Sequence, residues 1–153
     1  RGLGDVYKRQ AVDFNDITVK SILTPKEKIV ALDYNKLSKN EILKRIDNIQ
    51  FSRLPVYEQK YDNIVGILNI RKFLKLAINS KKFALKQSIS DVIKVLDTTS
   101  LNEMIEIFKN KKNHMAIVYN DANELVGLVT MEDVLEELVG ETKKELSIKG
   151  GNK

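Results

Sequence analysis

The chain has 153 residues, 42% of them hydrophobic and 31% charged, which allows one compact body or two small halves with a shared core and argues against disorder. It contains no cysteine, which excludes disulfides, thiolate metal sites and cysteine nucleophiles and fits a reducing, cytoplasmic setting. Its 26 basic and 21 acidic residues are interspersed and aromatics make up only 7%, so the net charge of +5 reads as a mixed, solvated surface with no nucleic acid as partner. Local basic clusters, Arg71, Lys72, Lys75, Lys81, Lys82 and Lys86, then Lys109, Lys111 and Lys112, could still steer anions.

No apolar run approaches the roughly 18 residues of a membrane span, and no signal pattern opens the chain, so this segment reads as soluble. It begins at Arg1, which suggests an excised piece, and residues 1–12 form an N-terminal tail without periodicity.

In chain order, ITVKSILTP at 17–25 reads as a short helical turn, which Pro25 would end, and VALD to Asp33 as a short apolar segment. SKNE, from Ser38, opens a helix through Ile42, Ile46 and Ile49. LPVYE and IVGILN follow as two strands, then a helix carrying Ile70, Phe73, Leu74, Ala77 and Ile78, then a polar connector at 79–87. QSISDVIKV at 87–95 resembles ITVKSILTP, and VLD to Asp97 resembles VALD.

Ser100 and Glu103 form a capping box in front of Leu101, Met104, Ile105 and Phe108, which share one helix face. HMAIVY and LVGLVT make a hairpin around NDANE, apolar at nearly every position, as strands covered on both faces are. Gly127 marks a bulge or the close approach of another backbone. Met131, Val134, Leu135 and Leu138 then fall in helical register, with Gly140 placed as a left-handed C-terminal cap.

The two halves repeat. Residues 52–77 align with 113–138 at a constant offset of 61 without a gap, which keeps Val65/Val126, Gly66/Gly127 and Leu74/Leu135 identical and matches Val56 with Ile117. Apolar positions are kept while Arg53, Asn69 and Lys72 stand against His114, Thr130 and Asp133, so packing is shared and chemistry is not.

ILTP, SRLPVY, HMAIV and GLVTMEDVLEELVGE resemble a tandem pair of CBS domains, and more closely the pair of the CorC, CNNM and hemolysin-like proteins, over about residues 13–141. The resemblance implies an α/β (α+β) fold of two β-α-β-β-α units packed sheet to sheet as one pseudo-twofold module. Its domains would be 13–78 and 88–140, with 141–153 a C-terminal tail. It implies a regulatory module that binds ATP or AMP, with magnesium reaching it through the phosphates. It further implies a homodimer at the cytoplasmic face of the membrane, joined to the transmembrane domain of a longer protein that transports magnesium or another divalent cation. Where the family continues with an acidic pair after VGE, this chain has Thr142, Lys143, Lys144 and Glu145.

The family's nucleotide lies in the cleft between the copies, its ribose held by the Asp of Gly-x-x-Thr-x-x-Asp. Gly127, Thr130 and Asp133 fit that motif; Gly66, Asn69 and Lys72 depart from it, so one competent site is expected. A carboxylate in the first helical turn can accept both ribose hydroxyls while Thr130 faces a phosphate; a plain capping box uses the same two residues. Thr24, Pro25 and Ile29 approach the cleft by family analogy, Pro55 joins them, and the backbone of Met115 and Ala116 meets the adenine edge. Arg53 and His114 would face phosphates, with salt bridging or a partly buried strand-start role as the competing readings. Glu132, Asp133, Glu136, Glu137 and Glu141 wrap a helix instead of converging, so no protein metal site is expected. No nucleophile, base and orienter set emerges, so the chain reads as no enzyme; a ligand-free CBS dimerisation scaffold is the alternative.

Overall fold

The computed structural model describes residues 16–46, 52–79, 85–111 and 113–151. Ile49, much of the 79–87 connector and the N-terminal tail lie outside the described residues. The chain divides into two compact units. An inner unit runs Lys26–Lys94, and a flanking unit joins the described residues through Pro25 to those from Val95 onward.

In the inner unit, β2 (Leu32–Asp33) runs parallel to β3 (Arg53–Glu58), which forms a hairpin with β4 (Lys60–Asn69), and β4 pairs with β5 (Ile89–Ser90). Helices α1 (Lys39–Ile46) and α2 (Ile70–Asn79) supply Ile42, Ile70 and Phe73 to a core with Leu32, Leu54, Val56 and Leu68. Ser38 starts α1 by accepting from the Glu41 amide at 3.1 Å. Of the apolar positions read on α2, Ile78 is left exposed.

In the flanking unit the sheet order is β1 (Thr24–Pro25), β8 (Leu125–Thr130), β7 (Met115–Tyr119), β6 (Ile93–Leu96). Every residue of β7 is buried, as the unbroken apolar run predicts. Helix α3 (Leu101–Asn110) begins where expected: Ser100 is extended, its hydroxyl accepts from the Glu103 amide at 3.2 Å, and Leu101, Met104 and Phe108 are buried.

Strand register corrects the constant offset. Arg53 lies opposite Asn69 as Met115 lies opposite Thr130, and Val56 opposite Gly66 as Val118 lies opposite Gly127. The counterpart of Val56-Tyr57 is therefore Val118-Tyr119, one residue further than the gapless alignment allows. The extra residue sits in the first hairpin, between Tyr57 and Ile64. Both hairpins shift register beside the glycine, so Val65 and Val126 are the bulged residues.

Register also moves the introductory segments. Thr24 stands opposite Leu128 as Ser90 stands opposite Ile67, whereas the string match of ITVKSILTP with QSISDVIKV sets Thr24 against Lys94. Each introduction thus gives its strand to the other repeat's hairpin. For this reason the compact units differ from segments 13–78 and 88–140.

The glycines make room for this exchange. A Cβ on Gly127 would overlap the Thr24 carbonyl oxygen and lie 2.8 Å from Leu23 Cδ1. A Cβ on Gly66 would overlap Ile89 Cγ2. The close approach expected at Gly127 is there, together with the bulge.

Helix α4 runs Met131–Gly151, so Gly140 lies inside it and residues 141–151 continue the helix instead of trailing as a tail. An interior glycine costs about 1 kcal/mol, which the helix-forming Glu, Lys and Leu on either side outweigh. Its buried stripe is carried by Val134, while Leu135 is 47% exposed. Among the described residues, no helix is long and apolar enough to cross a membrane.

Candidate functional site

The end of β8 and the start of α4 form a reciprocal cap. The Thr130 amide donates to Asp133 Oδ2 at 2.9 Å, and the Asp133 amide donates to Thr130 Oγ1 at 3.2 Å. The capping-box reading is therefore correct as local structure. It leaves Asp133 Oδ1 without a hydrogen bond among the described residues, on a half-buried side chain at a helix N-terminus. One oxygen shapes the turn and the other is available to a hydroxyl.

Around that cap the flanking unit gathers most of the expected residues. Met115 lies opposite Thr130 and Ala116 opposite Val129, while Thr24 and Pro25 cover Leu128 and Gly127 from the other edge of β8. The His114 carbonyl accepts from the Met131 amide at 2.8 Å, which ties the entry of β7 to the first residue of α4. The His114 side chain is exposed, and its ring meets Phe108 edge-on at 6.4 Å.

Asn113, which sequence reasoning passed over, holds this entry. Its Oδ1 accepts from the Met115 amide at 3.2 Å, so that N–H is already engaged. An asparagine two residues before a strand is the local signal for such a turn.

Ile29, Arg53 and Pro55 belong to the inner unit. Pro55 is buried in β3 opposite Ile67, and Ile29 is 8% exposed. Arg53, half-buried opposite Asn69, takes the place that Met115 has in the other hairpin, so it is not the counterpart of His114; Ser52 is. At the start of α2 the Asn69 Oδ1 accepts from the Lys72 amide at 3.0 Å. This cap works in one direction only, because a lysine stands where the second repeat has its carboxylate. Among the described residues no group of three or more His, Asp or Glu side chains is placed to hold a metal ion.

The family model for the CBS domain matches residues 86–140. The UPF0053 protein YhdP of Bacillus subtilis is 30% identical over 145 residues, covering 93% of this chain and 32% of YhdP. The magnesium and cobalt efflux protein CorC of Vibrio cholerae is 29% identical over 135 residues, covering 88% of this chain and 46% of CorC. The chain thus spans about a third to a half of these relatives. The CBS domain of a bacterial CNNM/CorC family Mg2+ transporter, solved in complex with ATP, superimposes with a TM-score of 0.77 at 26% identity. That match covers 90% of this chain and 98% of the other. With the repeat, the two exchanged sheets and these matches together, the chain is a tandem CBS-domain pair of the CorC/CNNM/hemolysin-like family.

Proposed function

We propose that this CBS pair is a regulatory adenine-nucleotide-binding module of a longer membrane protein that transports magnesium or another divalent cation. The observation that carries the reading is Asp133, whose Oδ2 is fixed by the cap while Oδ1 remains available at a helix start. The ATP held by the structurally similar CNNM/CorC domain supports the ligand class. In this reading Asp133 accepts from the ribose hydroxyls, Thr130 Oγ1 faces a phosphate, and the Gly127, Thr24 and Pro25 backbone walls the base with Met115 and Ala116. Ile29, Arg53, Pro55 and His114 are further contacts that the family resemblance contributes, and magnesium arrives on the phosphates.

Signalling follows from differential binding: a nucleotide moves the module only by the difference in its affinity for two arrangements. The module acts as a homodimer at the cytoplasmic face, coupled to the transmembrane domain. Leu135 and Val139, 47% and 51% exposed and one turn apart on α4, offer an apolar strip to a second copy.

Calorimetric titration with ATP, ADP and AMP, with and without magnesium, tests the reading. One nucleotide should bind per chain, and Asp133→Ala should weaken it at least tenfold. No heat and no rise in melting temperature at millimolar nucleotide would overturn it in favour of the ligand-free scaffold, for which the cap alone suffices to explain Asp133.

A further inference from the structure

The longer first hairpin carries a tyrosine that the nucleotide reading leaves unused. Tyr61, half-buried on β4, donates its hydroxyl to the Ile29 carbonyl at 2.7 Å, with the Lys26 carbonyl at 3.3 Å. One hydroxyl proton serves one acceptor well, and the shorter contact is to Ile29. The ring is steadied by Tyr57, 5.4 Å away between centroids and tilted by 52°. Burial, then Tyr57 and Glu27, push the Tyr61 phenol above its ordinary value, so the donor proton is held firmly.

The 3-10 turn Lys26–Lys28 follows directly on Pro25 and is closed by the Ile29 amide donating to the Lys26 carbonyl at 3.2 Å, so the residue that accepts from Tyr61 ends that turn. Residues 24–29 are thus fastened at both ends: β8 holds Thr24 and Pro25 in the flanking unit, and Tyr61 holds Ile29 in the inner unit. The second hairpin closes differently. Asn120 Oδ1 accepts from the amides of Ala122 and Glu124 at 3.0 and 2.9 Å, and no aromatic residue stands in that loop.

We propose that Tyr61 is a positioning residue: its hydroxyl anchors the Lys26–Ile29 turn and thereby keeps the two-residue strand Thr24–Pro25 set against Gly127, ready for nucleotide. The inference rests on the nucleotide reading above. A strand of two residues has few bonds of its own, so its order depends on where the chain is tied next. Without the anchor, binding must also order the segment, and affinity falls by the fraction of time it is misplaced.

The test compares Tyr61→Phe, which removes only the hydroxyl, with Ser38→Ala, which removes a hydrogen bond of similar kind at the start of α1 in the same unit. ATP titration, amide exchange over residues 23–30 and thermal melting are read on both variants. Tyr61→Phe should bind ATP roughly fivefold more weakly, the worth of one ordinary hydrogen bond, and exchange faster at the Leu23 to Val30 amides. Ser38→Ala should lower the melting temperature by a similar amount and bind ATP as the parent chain does. Parent affinity in Tyr61→Phe, or equal weakening in both variants, overturns the positioning role. A parent chain that binds no ATP overturns it together with the nucleotide reading, a failure visible before any substitution is made.

Discussion

Thr130 and Asp133 each complete the other's backbone, the Thr130 amide bonding Asp133 Oδ2 at 2.9 Å and the Asp133 amide bonding Thr130 Oγ1 at 3.2 Å. Stability and ligand binding therefore share one side chain, and two substitutions separate them. Asp133→Ala removes the acceptor and should cost about 1 kcal/mol in urea denaturation. Asp133→Asn keeps an acceptor for Thr130 and most of that stability, yet replaces the second oxygen with a donor. Both should lose nucleotide affinity. Undiminished binding in Asp133→Asn would assign the carboxylate to the cap alone.

The two glycines should respond unequally to alanine. At Gly127 the new methyl meets the Thr24 carbonyl, part of a backbone that cannot rotate away, and displacing β1 should cost about 2–3 kcal/mol. At Gly66 it meets the Ile89 Cγ2 methyl, which a side-chain adjustment can move, and the cost should be roughly 1 kcal/mol. Denaturation midpoints rank the pair; a larger loss at Gly66 would contradict the geometry.

Ser100 caps α3 while only 6% exposed, and Thr18 bridges to it. Ser100→Ala should destabilise the chain by about 1–2 kcal/mol, because the Glu103 amide loses its acceptor in a part-buried bond that water replaces less readily than at an exposed cap. Ser38→Ala, on an exposed cap, should fall at the low end, near 0.5 kcal/mol. Equal losses would mean that burial does not set the worth of the cap.

Tyr61 gives alkaline stability a direction. Its proton is held more tightly in the folded chain than in the unfolded one, so the unfolded state releases it first as pH rises. The contribution is complete below the ordinary tyrosine value and is lost as pH climbs from there through the raised folded value. Tyr61→Phe should remove that part of the decline, which denaturation series between neutral and strongly alkaline pH would reveal as a flatter profile.

The long elements were legible because each carried agreeing signals. Ser100 with Glu103 marked the start of α3, and the apolar spacing of Leu101, Met104 and Phe108 gave its buried face. Gly127 was legible as a place of close approach, although its neighbour could not be named from sequence. Thr24–Pro25 and Ile89–Ser90 are too short for any periodicity, so their exchange between hairpins left no trace in the pattern. The extra residue of the first hairpin had a signal, the Val-Tyr pair at 56–57 and 118–119, but the glycine match beyond it favoured an alignment without a gap. At the site, Thr130 and Asp133 stood out because the first repeat replaces both, whereas Asn113 and Tyr61 act through backbone carbonyls and amides that residue type alone does not reveal.

The exchange of β1 and β5 separates the unit of inheritance from the unit of folding. A gene copied in tandem passes on whole repeats, yet a cut at the repeat boundary would strip each hairpin of a neighbour and bare the edges of β4 and β8. A lone ancestral repeat would have met the same difficulty and could have resolved it by lending its leading strand to a second molecule, as domain-swapped dimers do. Fusion would then have made a loan between molecules permanent within one chain, and released the two hairpins to diverge in the residues that face a ligand.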